Sequence, residues 1–172
     1  MMWTFHCSTP TEADCKALAK RLSFLDRREI TVYNPDRTPE AALLEGLAQS
    51  EDCKMLYRNG LPVAAWGVLR TKDELEDDYG MPWLLSIGSD EYDLATTRAL
   101  LKATQRSITR WHYWWDFLAG FSWAEAKDHH RLLKKLGFSF GEIVTHGGHG
   151  EELPPSMPFW RNFEEPAKKE AA

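Results

Sequence analysis

The sequence has no long hydrophobic run and no excess of positive charge, and it has only three cysteines, an odd number that cannot all pair with one another. Its apolar stretches fall short of the roughly 18 residues that a membrane span requires, so we expect none. The 21 basic residues are outnumbered by 26 acidic ones, for a formal charge of −5, which argues against nucleic acid as a partner. The segment MMWTFHCSTP at 1–10 lacks the features of a secretory signal. We therefore expect Cys7, Cys15 and Cys53 to be reduced thiols, and they have no metal-ligand spacing.

Tryptophan, in contrast, is unusually frequent. Eight Trp occur among 172 residues, and four of them lie between Trp111 and Trp123. Such a density of large apolar groups excludes disorder here and indicates the centre of a packed core. The length and the otherwise ordinary composition predict one domain over residues 1–163, followed by a polar tail over 164–172.

Helix caps and turns organise the first half of the chain. Thr9 is predicted to cap a helix that runs to about Leu25, and Thr38 to cap a second that runs to about Gln49, because Pro follows each Thr at the first helical position. Asn59-Gly60 predicts a hairpin turn between two strands, since both turn residues require positive φ.

The second half predicts a strand–helix–strand crossover. An apolar strand over 83–87 leads into a helix capped within 88–90, whose apolar stripe continues to Trp111. A strand over 114–123, rich in large apolar residues, follows and is expected to run parallel to the first. Further elements are a helix over 125–136 ended by Gly137, a strand over 138–145 and a strand over 158–163. The fold class is therefore mixed α/β, in the order β-α-α-β-β-β-α-β-α-β-β, with helices on both faces.

Short motifs in this order resemble known proteins. Residues 126–138, AKDHHRLLKKLGF, resemble the helix near the C-terminus of the GCN5-related N-acetyltransferase (GNAT) fold. LPVAAWG at 61–67 and WLLSIGSD at 83–90, with Trp115, Trp123, His129-His-Arg131 and Gly137, resemble the internal virion protein A family of short-tailed, T7-like bacteriophages, which is itself GNAT-like. The resemblance implies a GNAT-like fold, a virion or host protein as partner, and a location in the virion interior or the host cytoplasm.

The resemblance also implies where an acetyl-CoA cofactor would lie. In GNAT enzymes the fourth and fifth strands splay apart, acyl-CoA occupies the gap, and its pyrophosphate meets the N-terminus of the next helix, where free N–H groups favour anions. Here the phosphate site would be 88–95. The corresponding candidate cofactor-binding residues are Leu85, Ser86, Ile87, Gly88, Ser89 and Asp90.

Residues 88–95, GSDEYDLA, depart from the basic, glycine-rich loop of the active enzymes. Their three carboxylates would repel a pyrophosphate by on the order of 1–4 kcal/mol for each close charge pair. The position of the tyrosine that protonates the leaving thiolate holds Leu133, Ala126 replaces an asparagine, and the strand at 83–87 offers only Ser86 where a base is expected. We therefore expect a catalytically degenerate protein with a virion-assembly or interaction role.

Two alternatives remain open. In the first, the chain is an active acyl-CoA-dependent N-acetyltransferase that acts on an amine of a protein or small molecule, with Glu91 or His129 as catalytic base. In the second, it is an adaptor that docks a basic protein through the acidic segment 73–78. His146 and His149 have a spacing that could chelate a metal ion. His129 and His130 point about 100° apart on a helix, so we expect no metal site.

Overall fold

The computed structural model describes residues 3–72, 78–146 and 152–163, and their strands form one mixed sheet. The strand order is β1-β2-β3-β4-β5-β8-β6, with β7 paired to β8. The strands are β1 (Phe5–Ser8), β2 (Ser50–Arg58), β3 (Leu61–Lys72), β4 (Asp78–Ser86), β5 (Phe117–Trp123), β6 (Ser139–Phe140), β7 (Val144–His146) and β8 (Glu152–Asn162). The helices are α1 (Glu12–Ala19), α2 (Phe24–Tyr33), α3 (Pro39–Gln49), α4 (Leu94–Trp111) and α5 (Lys127–Lys135).

The first helix begins later and ends earlier than the sequence predicts. Thr11, not Thr9, is its N-cap: Thr11 Oγ1 accepts a hydrogen bond from Asp14 N at 3.2 Å, and Asp14 Oδ2 accepts one from Thr11 N at 2.8 Å. This reciprocal pair satisfies two orphan amides, which a cap at Thr9 would not do. The predicted continuation to Leu25 is wrong, because α1 ends at Ala19.

A separate helix, α2, follows and has no counterpart in the predicted order. Ser23 is its N-cap and accepts a hydrogen bond from Asp26 N at 2.9 Å. The amide of Ser23 in turn donates to the Ser86 carbonyl at 2.9 Å, which fixes the start of α2 against the end of β4. This contact places α2 so that its acidic side chains lie towards the centre of the sheet.

Two local predictions in the first half are confirmed. Thr38 caps α3, with Pro39 in the first turn. Asn59 and Gly60 join β2 to β3 with φ of 51° and 78°, as a two-residue hairpin turn requires.

The sheet is covered on both faces, as expected. Trp66 and Trp83 lie on the neighbouring strands β3 and β4 and point to opposite faces, since Trp83 pairs with Gly67. Trp66 Nε1 donates to Ser107 Oγ of α4 at 2.9 Å. On the other face the indole of Trp83 lies against Gly46 of α3, where an added Cβ would come within 2.7 Å of Trp83 Cζ2. The core therefore sits between the central strands and the helices on either side.

The expected parallel pairing of β4 with β5 is confirmed, but both strands have different bounds. Trp114 and Trp115 precede β5 in a turn that follows α4, so the prediction of a strand that begins at Trp114 is wrong. Their indoles pack edge to face, at 5.6 Å between ring centroids. Trp115 is buried beside Gly80, where an added Cβ would lie 3.1 Å from Trp115 Cε3.

The remaining differences concern helix and strand ends. The helix cap predicted within 88–90 is wrong: a 3-10 turn occupies Ser89–Glu91 and Asp93 caps α4, its Oδ1 accepting from Thr96 N at 2.7 Å. The apolar face of α4 differs from the predicted one, since Leu94 is 64% exposed while Leu100 is buried.

The end of the second half agrees with the prediction at one point. Gly137, with φ of 83°, ends α5 as expected. The predicted strand over 138–145 is split into β6 and β7, and the last strand begins earlier, at Glu152.

Candidate active site

The gap between β4 and β5 is the central feature of the site. Among the described residues, the two strands pair at the single position Gly80↔Leu118 and diverge beyond it. The closed end depends on glycine, because an added Cβ at Gly80 would lie 2.5 Å from Leu118 Cδ2 and 2.9 Å from Val68 Cγ2. The strands therefore meet at one end and open towards their C-terminal ends.

The register of β4 shows which of its backbone groups face the gap. Ile87 N donates to the Val63 carbonyl at 3.0 Å, and the unbroken register with β3 continues from there. Because backbone groups alternate in direction along an antiparallel strand, residues 81, 83 and 85 also face β3. The backbone groups of Leu84 and Ser86 therefore point away from β3, towards the side of β5, where the Ser86 carbonyl already accepts from Ser23 N.

The same reasoning applies to β5, which pairs with β8 on its other side. Phe163 N donates to the Asp116 carbonyl at 2.9 Å, in register with the β5–β8 ladder. Residues 118, 120 and 122 consequently face β8, and the backbone groups of Ala119, Phe121 and Trp123 face the gap. A ligand between the strands would meet peptide groups from both sides.

Two cavities meet at this gap. One has a volume of about 530 Å³ and is lined mainly by apolar side chains, including Trp83 and Phe121. The other has a volume of about 460 Å³ and opens beside α5 and the N-terminus of α4. Their linings share Leu84, His129 and Leu132, so the two cavities adjoin at these residues, which we call the junction.

His129 lies between two carboxylates at this junction. Its Nδ1 is 2.8 Å from Glu29 Oε2, and its Nε2 is 3.3 Å from Asp26 Oδ1. Both acids come from α2, whereas His129 comes from α5. The side chain of His129 is 17% exposed and Asp26 is 1% exposed, so the three groups form a largely buried cluster.

Each carboxylate has further hydrogen-bond donors. Glu29 Oε1 accepts from Trp123 N at 2.7 Å and from Ser122 Oγ at 3.1 Å, which joins α2 to β5. Asp26 Oδ2 accepts from Ser23 Oγ and, at 3.5 Å, from Ser86 Oγ of β4. Asp26 Oδ1 accepts no well-aligned hydrogen bond and faces His129 as an ionic contact.

This environment determines the charge of the cluster. Burial alone would lower the pKa of His129, but the hydrogen bonds and negative charges of Asp26 and Glu29 raise it to about 10. Burial alone would raise the pKa of Glu29, yet His129, Trp123 and Ser122 together lower it. At neutral pH the cluster therefore holds an imidazolium next to the ionised Glu29. Such a cluster can give and receive protons while it is largely shielded from bulk water.

The loop at 88–95 satisfies its own helix N-terminus, as its carboxylates predict. Asp93 caps α4, and the carboxylate of Asp90 lies over Gly88, 2.6 Å from the position of an added Cβ. Gly88 has φ of 105°, which favours glycine. Glu91 is 3.4 Å from Arg21, and the Arg58 guanidinium donates to the Glu91 carbonyl at 3.1 Å.

The predicted site residues are thus distributed unevenly. His129 lies at the junction, whereas Glu91 lies outside both cavity linings, on the surface. The candidate cofactor-binding residues line one cavity or the other at Leu85, Ser86, Gly88 and Asp90; Ile87 is buried, and the side chain of Ser89 is outside the described residues. These roles stay predictions. His129 is nearer the gap than Glu91, but as an imidazolium at neutral pH it can donate a proton and cannot accept one, as the predicted base would have to do.

The other predicted candidates do not converge on the gap. Cys15 and Cys53 are buried free thiols, and Cys7 is an exposed one. In the described part of the chain no group of three or more His, Cys, Asp and Glu is placed to hold a metal ion. Residues 73–77 and 147–150, with His149, lie outside the described residues. Over the same described ranges, no helix is long and apolar enough to cross a membrane.

Sequence reasoning missed Asp26 and Glu29 because it missed α2. A usable signal was present: Ser23 stands three residues before Asp26, the spacing at which an N-cap hydroxyl and a carboxylate support each other. Asp26 and Glu29 are also three residues apart, which places them on one face of a helix.

Comparison with solved structures defines the class of fold. The chain resembles a GNAT-family acetyltransferase from Bacillus anthracis, with a TM-score of 0.65, 11% identity, and 94% of this chain and 96% of that chain covered. It resembles the protein yncA of Salmonella typhimurium, solved with acetyl-CoA, with a TM-score of 0.64, 15% identity and 98% and 99% coverage. An aminoglycoside acetyltransferase in complex with coenzyme A and kanamycin matches with a TM-score of 0.61, 18% identity and 92% and 95% coverage.

The chain therefore has the GNAT acetyltransferase fold, as its motifs predicted. Neither a family model nor a curated protein matches the sequence. At these identities the likeness establishes the fold alone. The resemblance to the phage internal virion proteins has no support from these comparisons and stays a prediction.

Proposed function

We propose that the protein is an acyl-CoA-dependent N-acyltransferase that transfers an acetyl group to an amine. One observation carries the proposal: the splayed β4 and β5 lead from two sides to a single buried His129 cluster. Structures with this fold are solved with acetyl-CoA or coenzyme A, which supports the class of donor. The alternative raised by the sequence is thereby favoured over the degenerate protein.

The residues at the gap fit the acyl-bearing arm of the donor. Leu84 on one side, and Ala119 and Phe121 on the other, direct peptide groups into the gap, where amides of an extended arm would find partners. Asp26 Oδ1 is a buried acceptor without a well-aligned donor, and an amide or ammonium N–H would satisfy it. An acyl-CoA would supply the acyl group as an activated thioester.

The phosphate end of the donor would meet a mixed surface. Asp90 lines the 460 Å³ cavity and disfavours a pyrophosphate, whereas Arg131 and Lys135 of α5 line the same cavity and favour one. Arg131 is already 2.9 Å from Asp128. We therefore propose that the phosphates bind near α5. The affinity for coenzyme A should then fall steeply as the salt concentration rises.

The acceptor amine would enter through the 530 Å³ cavity. Glu29 is the one carboxylate among the described residues of its lining. A single carboxylate suits one amine, while Trp83 and Phe121 offer apolar surface to the rest of the acceptor. This arrangement fits a small molecule or an exposed chain end with one amino group.

The degenerate reading retains one observation in its favour. The self-capped, acidic loop at 88–95 lacks a free helix N-terminus for phosphate. A role in the virion interior or host cytoplasm, with a phage or host protein as partner, accordingly stays a prediction that the binding experiment also tests.

The experiment is calorimetric titration with acetyl-CoA, followed by a thiol-release assay with a panel of primary amines. We expect micromolar binding and amine-dependent thiol release. Leu132→Trp, which places an indole at the junction, should abolish both, while His130→Gln, outside both linings, should change neither. If acetyl-CoA does not bind, the proposal is wrong and a non-catalytic role is favoured.

A further inference from the structure

We infer that His129 donates the proton taken up by the leaving thiolate, that Asp26 is its positioning residue, and that Glu29 both positions the ring and accepts the proton lost by the amine. This inference rests on the proposed function, because it concerns acyl transfer in the same gap. Leu133, at the position where the resemblance places a proton-donating tyrosine, has no proton to donate. The inference assigns that proton transfer to residues of α5 and α2 instead.

The position of His129 is the first argument. Three residues line both cavities, Leu84, His129 and Leu132, and His129 is the one that carries a transferable proton. If donor and acceptor approach from the two cavities, the scissile bond lies where those cavities join. His129 is therefore within reach of the reacting atoms without any rearrangement of the backbone.

The two ring nitrogens are held differently. Nδ1 is 2.8 Å from Glu29 Oε2, a firm charge-assisted contact. Nε2 is 3.3 Å from Asp26 Oδ1, which nevertheless accepts no well-aligned hydrogen bond. The proton on Nε2 is consequently held less tightly than the proton on Nδ1, and it is the one that the sulfur would receive.

Other hydroxyl donors beside the cavities are already engaged. Tyr92 lines the 460 Å³ cavity, but its hydroxyl donates to the Val63 carbonyl at 3.2 Å. Tyr33 lines the other cavity and shares a hydrogen bond of 2.7 Å with Ser156 Oγ. His129 remains as the proton donor at the junction.

The step balances without an outside acid. The amine nitrogen forms a bond to the acyl carbon, the carbon–sulfur bond breaks, and its electron pair passes to sulfur, which takes the Nε2 proton of His129. The surplus proton on nitrogen passes to Glu29. Neutralising Glu29 removes one of the two negative charges that stabilise the imidazolium, so donation becomes easier as the amine loses its proton. Water then returns the proton from Glu29 to the imidazole.

Charged and polar groups of α2, β4, β5 and α5 surround His129. Asp26 and Glu29 face it from α2, and Ser86 and Ser122 bring no charge from β4 and β5. On α5 the charged or titratable neighbours are Asp128, His130, Arg131 and Lys135. Asp90 lies across the 460 Å³ cavity. The charge of His129 lowers the pKa of His130, after the larger effect of burial.

The test compares two acyl donors with different leaving groups. With acetyl-CoA, His129→Gln should lower kcat/KM by about 100-fold or more, the usual range for a proton donor. With an acetyl thioester of an acidic aryl thiol, which leaves without protonation, the loss should shrink to about tenfold or less. The matched control, His130→Gln, should leave the ratio between the two donors unchanged.

The outcomes separate the two proposals. Equal losses with both donors overturn the role of His129 while leaving the N-acyltransferase intact. A wild-type protein that releases no thiol from either donor overturns the proposed function itself. If His129→Gln does not fold, Asp26→Asn combined with His129→Gln removes the unpaired buried charge, and the same comparison is made in that background.

A second measurement needs no substrate. In the ligand-free protein, NMR titration should show the His129 ring protonated well above pH 7, and Glu29→Gln should lower its midpoint by about one unit or more. A wild-type midpoint near the ordinary histidine value of about 6.5 overturns the inference.

Discussion

The raised pKa of His129 makes the stability of the fold depend on alkaline pH. The folded protein holds the imidazolium to about pH 10, whereas the unfolded chain loses that proton near the ordinary value of about 6.5. Between these values the folded state binds more protons than the unfolded state, so the free energy of unfolding falls as pH rises. The full contribution is present below about pH 6.5 and is lost as pH approaches 10.

The size of this effect follows from one proton. A single site changes the free energy of unfolding by at most about 1.4 kcal/mol per pH unit, so we expect a loss of roughly 2 kcal/mol between about pH 7 and about pH 9. Burial raises the pKa of Cys15 to about 11 and that of Cys53 to about 12. These thiols therefore lower stability only at the upper end of that range.

Urea unfolding across this pH range measures the slope. The double variant Asp26→Asn/His129→Gln removes the imidazolium without leaving Asp26 as an unpaired buried carboxylate. Its stability should be nearly independent of pH from about 7 to 8, below the pH at which the thiols of the unfolded chain ionise. His130→Gln should keep the wild-type slope. Parallel curves for the wild type and the double variant would refute the argument, because the slope would then arise elsewhere.

Three further predictions concern the walls of the gap and the loop beside it. Gly80→Ala should lower the free energy of unfolding in urea by about 1–3 kcal/mol, since its Cβ would lie 2.5 Å from Leu118 Cδ2; no loss would mean that the strands separate freely. Asp93→Ala should cost about 1 kcal/mol by thermal unfolding, because Thr96 N loses its cap, and an unchanged Tm contradicts this. Asp90→Asn should tighten acetyl-CoA binding several-fold in calorimetry at low salt, and an unchanged Kd would remove Asp90 from the phosphate path.

Local signals predicted the parts of the fold that depend on neighbouring residues. The turn at Asn59-Gly60 and the cap at Thr38 require specific φ values or a specific side-chain oxygen, and both are confirmed. The strand predicted from Trp114 is wrong because large apolar residues also occur in turns. Between α4 and β5, Trp115 is buried whereas Trp114 is 47% exposed, and the sequence pattern alone does not distinguish this arrangement from a strand.

The site was predictable only in part, for a related reason. His129 stood out on a helix near the gap, but its partners come from α2, far away along the chain. The apolar period of α1 reads on through Leu22 and Leu25, so the cap at Ser23 was hidden within an apparently continuous helix. Contacts such as Glu29 with His129 depend on how α2 and α5 meet across the splayed strands, and no local pattern encodes that meeting.

The three missing catalytic parts favoured the prediction of a degenerate protein, and the proposed function departs from one assumption of that prediction. The prediction assumed that each chemical role stays on the element that carries it in other proteins with this fold. The fold instead fixes a place, the junction between β4 and β5, and any element lining that place can supply the proton or the base. Here Leu133 and the β4 strand supply neither, while Glu29 and His129 converge on the junction from opposite helices. The loss of a motif is therefore evidence against a particular set of residues, and the chemistry is decided by the groups that actually reach the gap.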